Sequence, residues 1–233
     1  MKTAENVIKI LNKYENPEHA IILAGFFKTK KGEYGEGDIF IGLKVPLIRK
    51  LAKQFSDLTI LELEKLLESP IHEHRFAALV IMVEQFKRKI RRNELYNLYL
   101  DRTDRINNWD LVDVSCRDIV GGYLMDKPRD ILYKLAKSTN LWERRIAIVS
   151  TWQFIRSGDL DDTFAIAEIL LNDDQDLIHK AVGWMLREAG KKDEAALKIF
   201  LDSFATSMPR TALRYSLERL SNIDKKYYMA LKM

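Results

Sequence analysis

The sequence has few of the residues that break helices and only one that could form a disulfide. Among its 233 residues are 10 Gly, 5 Pro and 1 Cys. An all-β sandwich or barrel needs many turn residues, so this composition disfavours that class. The single Cys116 excludes an intrachain disulfide framework and a cysteine-based zinc cluster. Because 47% of the residues are hydrophobic, the chain can bury a sizeable core, and we expect a mostly helical protein.

Long apolar runs are also missing. The longest early run, residues 20–27, is far too short to span a membrane. At the amino terminus Glu5, Lys9 and Lys13 interrupt the apolar pattern, which predicts an amphipathic helix rather than a signal peptide. We therefore expect a cytoplasmic protein without membrane association.

The excess of one charge sign is small, since the formal net charge is +4. The distribution of charge is more informative than its sum, because basic and acidic residues gather in separate segments. Basic segments include 28–31, 87–92, 102–105, 144–145 and 191–192. This pattern is compatible with a nucleic-acid footprint, and a solvated surface is the alternative.

Helical periodicity runs through nearly the whole chain, with one long irregular stretch at Lys28–Val45. Short joints such as Gly158–Asp159 and Gly190 carry the stop and start signals. The pattern predicts helices at about 3–14, 17–27, 46–55, 59–68, 73–89, 93–102, 108–124, 129–137, 141–157, 161–171, 177–189, 193–204, 209–220 and 223–231.

A 35-residue period begins near residue 72. Arg75, Asp110, Arg145 and Lys180 follow one another at this interval, and each precedes two apolar residues. Helix pairs that bury only part of their surface alone stack on one another. The tetratricopeptide signature is absent. We therefore predict an all-α fold, an α-solenoid of HEAT-like antiparallel helix pairs, forming one curved domain over residues 1–233 with a concave basic face.

Trp109 and Asp113 are four residues apart in the predicted helix 108–124, so they share one side of it. An aromatic face beside a carboxylate suits a cationic, electron-poor ligand. The alternative is that Trp109 belongs to the core and that Asp113 pairs with Arg117, four residues further on.

Arg145 has apolar neighbours at all its same-face positions, one turn before and one turn after it. Its guanidinium must reach outward or find an anionic partner. That partner could be Asp113 in a structural ion pair, or a phosphate. Arg144 is expected to be solvated.

Trp184 lies away from the apolar stripe of its predicted helix, among Lys180, Arg187 and Glu188. A large ring among basic residues suits contact with a sugar or a base. Alternatively, the ring packs against a neighbouring repeat.

The sequence gives little sign of a metal or cofactor site. His72 and His74 are two residues apart, which is not the i, i+4 spacing of a helical zinc pair. Gly35–Glu36–Gly37 lacks the strand and helix that flank a dinucleotide-binding loop. We expect neither a metal nor a cofactor.

Three segments together resemble the AlkD family of HEAT-like-repeat DNA glycosylases, the bacterial DNA alkylation repair enzymes. They are NWDLVD at 108–113, WERRIA at 142–147 and KAVGWMLRE at 180–188, in the family's order and at compatible spacing. YGEGD at 34–38 and GLKVP at 42–46 are also similar to members of this group. The resemblance spans most of the chain.

The resemblance implies hydrolysis of the N-glycosidic bond of N3- and N7-alkylated purines in duplex DNA. It implies that Asp113 is the catalytic carboxylate. It also implies that the catalytic site includes Trp109 and Trp184, which flank the damaged nucleotide, and Arg145, the essential arginine beside them. Asn108 stands where some members have a second tryptophan, which leaves the substrate range open. The partner is then double-stranded DNA containing alkylated purines, bound by a monomer. The residues expected to contact DNA are Lys180, Arg187, Arg144, Arg117, Lys30 and Lys31.

Two other functions fit the same fold. One is a non-catalytic, structure-specific DNA-binding protein, against which the complete set of Trp109, Asp113, Arg145 and Trp184 argues. The other is a helical-repeat scaffold for proteins, which would have no affinity for DNA at physiological salt.

Overall fold

The structure is a computed structural model that describes residues 2–231, and helices make up most of this range. Over these residues no β-strand forms, although one isolated parallel bridge joins Ile39 to Ile71. The all-α fold of the α-solenoid class is therefore confirmed. The helices are α1 (Ala4–Asn12), α2 (Pro17–Phe26), α3 (Val45–Ala52), α4 (Ile60–Leu67), α5 (His72–Lys87), α6 (Arg92–Asp101), α7 (Trp109–Cys116), α8 (Asp130–Ala136), α9 (Leu141–Ser150), α10 (Trp152–Ser157), α11 (Asp161–Ile169), α12 (Asp176–Gly190), α13 (Glu194–Phe204), α14 (Arg210–Ser216) and α15 (Asn222–Ala230).

The chain forms two compact units, one ending at Ile119 and the other beginning at Val120. In the first unit α5 packs against α3 and α7, and in the second α12 packs against α9 and α14. These helices carry the 35-residue register, with Arg75 in α5, Asp110 in α7, Arg145 in α9 and Lys180 in α12. Helices at equivalent positions of the 35-residue repeat therefore pack against each other within each unit, α5 against α7 in the first and α9 against α12 in the second. A single domain over 1–233 and its concave basic face stay predictions.

Many helices begin at a residue whose side chain accepts a hydrogen bond from a backbone N–H of the first turn. Such a cap stabilises a helix by about 1 kcal/mol, because it satisfies a donor that has no partner within the helix. These local signals explain why the predicted helix starts agree closely with the structure. The capping residues include Thr3, Asn16, Thr59, Asn140, Asp193 and Ser221.

Two predicted helices are interrupted in the structure. The helix predicted at 108–124 is α-helical over Trp109–Cys116 and continues as a π-helical segment, Arg117–Gly121. Glycine is a poor helix former, and a Cβ at Gly121 would lie 2.2 Å from the carbonyl oxygen of Ser150. The helix predicted at 141–157 divides at Thr151. The hydroxyl of Thr151 donates a hydrogen bond to the backbone carbonyl of Ile148 at 2.7 Å, and such a bond competes with the regular hydrogen bonds of the helix.

The irregular segment between α2 and α3 is held from inside by Glu73, which is buried at the start of α5. Its carboxylate accepts backbone N–H groups from Ile41, Gly42 and Leu43 at 2.8–3.2 Å. Gly42 has a φ of +86°, and a Cβ there would lie 2.1 Å from the carbonyl oxygen of Asn16. Only glycine fits this position, which brings the segment against the start of α2.

Candidate active site

Trp109 and Asp113 line the same cleft of the first unit, as their spacing on one helix predicts. The cleft has a volume of about 510 Å³ and is bounded by α2, by the start of α3 with the residues before it, and by α7. Both side chains are half-buried. Phe26 and Phe27 supply further aromatic surface. The basic side chains at the cleft are His19, Lys44, Arg49 and Arg117.

The ring of Trp109 is the outer member of a series of stacked rings. It lies over Phe27 with a centroid distance of 5.3 Å and an interplanar angle of 24°. Phe27 stacks on Phe40 at 5.0 Å, and Phe40 stacks on His72 at 4.4 Å. Phe26 meets the edge of Trp109 at 6.0 Å. Trp109 is therefore both packed against aromatic neighbours and placed on the wall of the cleft.

Asp113 lies one helical turn beyond Trp109 on α7. The Nε of Arg117 donates to the backbone carbonyl of Asp113 at 3.2 Å. A carboxylate in a partly desolvated cleft, close to an aromatic ring, attracts positive charge more strongly than it would in open water. The cleft can therefore favour a cation that develops beside Asp113.

A buried charged cluster fixes the start of α7. His72 lies between two carboxylates, with Nδ1 donating to Oδ2 of Asp38 at 2.8 Å and Nε2 donating to Oδ2 of Asp110 at 2.9 Å. Arg75 also donates to Asp38. The amide of Asn108, immediately before α7, donates to Asp38 at 3.2 Å. These contacts tie the first turn of α7 to α5 and to the segment before α3.

His72 is an imidazolium, because both of its ring nitrogens face carboxylate oxygens and must donate. Burial alone would lower the pKa of His72, but the charges and hydrogen bonds of Asp110 and Asp38 outweigh it and raise the pKa to about 9. For Asp38 the effects have the opposite sign. Burial would raise the pKa of this carboxyl, but the hydrogen bonds and charges of His72 and Arg75 outweigh burial and hold the pKa below its ordinary value.

His74 is the neutral counterpart of His72. Its Nε2 contacts Oδ1 of Asn12 at 2.8 Å, and its Nδ1 contacts the hydroxyl of Ser69 at 2.8 Å. Burial, assisted by the charge of Arg75, lowers the pKa of His74 to about 4. One ring nitrogen therefore donates and the other accepts, as in a neutral imidazole.

Arg145 lies in the second unit and is buried on α9. Its Nη1 donates to the backbone carbonyl of Leu177 at 2.6 Å. The guanidinium therefore does not simply reach outward into solvent. The arginine remains a predicted site residue.

Arg144 is not the solvated side chain that the sequence suggested. Its Nε donates to Oδ2 of Asp173 at 2.5 Å, and its Nη1 donates to the carbonyls of Ser138 and Thr139. The reason is that α9 begins beside the turn that follows α11, where Asp173 supplies a nearly buried carboxylate. DNA contact by Arg144 stays a prediction.

Trp184 is half-buried on α12, and the basic residues around it have acidic partners. Lys180 pairs with Asp176 at 2.7 Å. Arg187 pairs with Glu218. The basic character predicted for this part of α12 is therefore partly neutralised within the second unit. In the first unit, by contrast, Lys30 and Lys31 are exposed in the segment before α3.

Comparison with known proteins identifies the family. A sequence model of the family described as DNA alkylation repair enzyme matches residues 7–220. The chain belongs to the family of DNA alkylation repair enzymes. Its role is therefore in the repair of alkylation damage, with DNA as the partner that the family suggests. None of the curated proteins matches the sequence.

Two solved structures resemble this DNA alkylation repair family member in fold. A predicted DNA alkylation repair enzyme from Enterococcus faecalis superimposes with a TM-score of 0.75 and 19% identity, over 89% of this chain and 97% of that one. The protein smu.31 from Streptococcus mutans UA159 superimposes with a TM-score of 0.57 and 17% identity, over 94% and 100% of the two chains.

Residues 2–231 contain neither a metal-binding cluster nor a membrane-spanning helix. Three or more His, Cys, Asp or Glu side chains do not converge there in a way that could hold a metal ion. None of the helices in that range combines the length and the apolarity that a membrane span needs.

Sequence reasoning missed the residues that support Trp109 and Asp113. It considered His72 only as a metal ligand and gave no role to Asp38, Phe27 or Phe40. One signal was available, since four consecutive polar residues, HEHR at 72–75, precede the apolar run FAALVIM in one helix. All four are buried. Such a run at the start of a buried helix indicates a polar cluster.

Proposed function

We propose that the protein is a monofunctional DNA glycosylase that hydrolyses the N-glycosidic bond of N3- and N7-alkylated purines in duplex DNA. It would act as a monomer without metal or cofactor. The observation that carries the proposal is the placement of Trp109 and Asp113 on the wall of one cleft of about 510 Å³. Family membership supplies the substrate class, damaged DNA, and the cleft supplies groups suited to the reaction.

The chemistry requires only one carboxylate. Alkylation at N3 or N7 gives the purine a positive charge, so the base leaves without protonation by a general acid. The enzyme must then stabilise the positive charge that develops on the sugar and direct a water molecule to its anomeric carbon. Asp113 can do both, by attracting the oxocarbenium-like sugar and by accepting a proton from the attacking water.

Trp109 would favour the same charge through its ring face. A cation over an indole ring is stabilised by about 0.5–2 kcal/mol, depending on how far it is desolvated. Because Trp109 is stacked on Phe27, its ring is already oriented before DNA binds. Less binding energy is then spent on ordering the side chain.

Exposed basic side chains would hold the phosphates of the DNA backbone. Lys44 and Arg49 are exposed at the cleft, and Lys30 and Lys31 are exposed nearby in sequence. Contacts of this kind fix the position of the duplex and weaken with added salt. The places of Arg145 and Trp184 in the catalytic site rest on the resemblance. So do roles in DNA binding for Lys180, Arg187, Arg144 and Arg117.

The test is the release of 7-methylguanine from methylated duplex DNA by the wild type and by Asp113→Asn. Asp118→Asn is the matched control, because Asp118 lies in the segment that continues α7, pairs with Lys87 at 3.2 Å and does not line the cleft. We expect release by the wild type and by the control. Asp113→Asn should lose roughly 100-fold or more in rate, the scale for one electrostatic group in an active site. It should still bind duplex DNA containing a stable abasic analogue.

Three outcomes would contradict parts of the proposal. Normal release by Asp113→Asn would remove the role assigned to this carboxylate. Tight DNA binding without release by the wild type would indicate a non-catalytic DNA-binding protein. No DNA binding at physiological salt would favour a scaffold for other proteins.

A further inference from the structure

His72 connects the buried charged cluster of the first unit to Trp109 and Asp113, two of the residues that line the cleft. We propose that His72 is a positioning residue, which as an imidazolium fixes the first turn of α7 and the ring of Trp109 and thereby sets where Asp113 acts. This inference rests on the proposed glycosylase function.

The first connection runs through the start of α7. His72 holds Asp110 directly at 2.9 Å, and it shares Asp38 with the amide of Asn108. Asn108 and Asp110 are the two residues that flank Trp109 in sequence. Because Asp113 lies less than one helical turn after Asp110, a rotation of this turn would move both Trp109 and Asp113.

The second connection runs through the stacked rings. The imidazolium lies 4.4 Å from the ring of Phe40, with an angle of 25° between the planes. Phe40 stacks on Phe27, and Phe27 stacks on Trp109. A cation over an aromatic face is attractive, so the charge of His72 favours this arrangement of rings. His72 therefore acts on the backbone of α7 and on the side chain of Trp109.

Charge balance explains why the imidazolium is needed. Two carboxylates, Asp38 and Asp110, face two cations, His72 and Arg75, and three of the four side chains are almost completely buried. Loss of the imidazolium leaves one carboxylate without compensation, which is costly in a buried site. Asp110 is the more exposed carboxylate, with 13% of its side chain accessible against 1% for Asp38. Asp110 is therefore the group that would move toward water, and it would carry the first turn of α7 with it.

The test compares His72→Gln with the double variant His72→Gln/Asp110→Asn, in which the charges balance again. Single-turnover release of 7-methylguanine is measured with enzyme in saturating excess, and the Kd for DNA is measured separately. We expect His72→Gln to lower the single-turnover rate by roughly 10- to 100-fold, the scale of a small displacement of a reacting group. The Kd should change by no more than about twofold, and the double variant should recover most of the rate.

The matched control is His74→Gln, because the hydrogen bonds of His74 go to Asn12 and Ser69, neither of which lies in α7. Its single-turnover rate should equal that of the wild type. All rates are measured well below the unfolding transition, so that a loss of stability alone leaves the folded fraction and the rate unchanged. An unchanged rate in His72→Gln, or the same loss in the double variant as in the single one, would overturn the inference.

A second readout does not depend on catalysis. The chain has 4 Trp, so labelling with 5-fluorotryptophan should give four fluorine resonances, and Trp109→Phe identifies the resonance of Trp109. We expect His72→Gln to shift this resonance and the double variant to return it toward the wild-type position. If the resonance shifts while the wild type releases no base, positioning by His72 stands and the glycosylase proposal fails. If the wild type releases base and the resonance of His72→Gln does not move, the positioning role is wrong.

Discussion

From the two buried histidines of α5, His72 and His74, we predict that the free energy of unfolding of the first unit is highest near pH 6.5. His72 is charged between Asp110 and Asp38, which outweigh burial and raise the pKa of His72 to about 9. His74 is neutral, because burial and the charge of Arg75 lower its pKa to about 4. The two pKa values lie on opposite sides of the ordinary value of 6.5.

The sign of each effect follows from proton binding. Between pH 6.5 and 9 the folded chain keeps a proton on His72 that the unfolded chain releases, so stability falls as the pH rises. Between pH 6.5 and 4, His74 binds a proton in the unfolded chain but not in the folded chain, so stability falls as the pH drops. Each pKa differs from its ordinary value by roughly 2.5, which corresponds to about 3 kcal/mol on each side of the maximum. The pKa of Asp38 lies below its ordinary value of 3.8, so this partner of His72 stays ionised over the whole range.

Urea denaturation from pH 4 to pH 9.5, at constant temperature and ionic strength, measures this dependence. The fluorine resonance of labelled Trp109 reports on the first unit, and the free energy of unfolding is extrapolated to zero urea. His72→Gln should remove the alkaline decrease and keep the acidic one, and His74→Gln should do the reverse. A wild type with constant stability between pH 6.5 and 9 would refute the reasoning. So would a His72→Gln variant that keeps the alkaline decrease.

Two further predictions concern DNA binding and the segment before α3. Replacing the exposed Lys30 and Lys31 by Ala should weaken binding to all duplex sequences similarly and lower the slope of log K against log salt by about 0.9 for each lost phosphate contact, as measured by fluorescence anisotropy. Gly42→Ala should destabilise the protein by about 3 kcal/mol or more in chemical denaturation, because the left-handed backbone and the carbonyl of Asn16 both exclude a Cβ. Gly25→Ala, in α2 with no atom within 4 Å of the added Cβ, is the matched control and should stabilise by about 0.5–1 kcal/mol.

Helix positions could be predicted closely because their causes are local. The N-cap residues Thr59 and Asn140 and the helix-initial Pro17 each mark a start within one or two residues. The interruptions of the helices predicted at 108–124 and 141–157 arise from tertiary and side-chain contacts, which hydrophobic periodicity cannot reveal. One is the close approach of Gly121 to the Ser150 carbonyl, and the other is the hydroxyl bond made by Thr151.

The candidate site was predictable only where it depends on one helix. The i, i+4 spacing places Trp109 and Asp113 together because helix geometry alone decides it. The rings and charges behind them come from segments far apart in sequence, such as Asp38 and His72, which are 34 residues apart. Hydrophobic periodicity cannot pair these residues, because their contact is set by the path of the segment between α2 and α3.

The buried cluster also indicates what this part of the protein must achieve. Apolar side chains of similar size often stabilise a fold as well as a buried ion pair does, because charges lose hydration on burial. In the proposed positioning role, Asp38, His72 and Arg75 select one position for the first turn of α7, in addition to any stability that their ion pairs contribute. The proposed glycosylase reaction has a leaving group that is already activated, so its rate would depend mainly on the position of the catalytic carboxylate. A cluster that costs hydration and fixes the helix carrying Asp113 is consistent with that requirement.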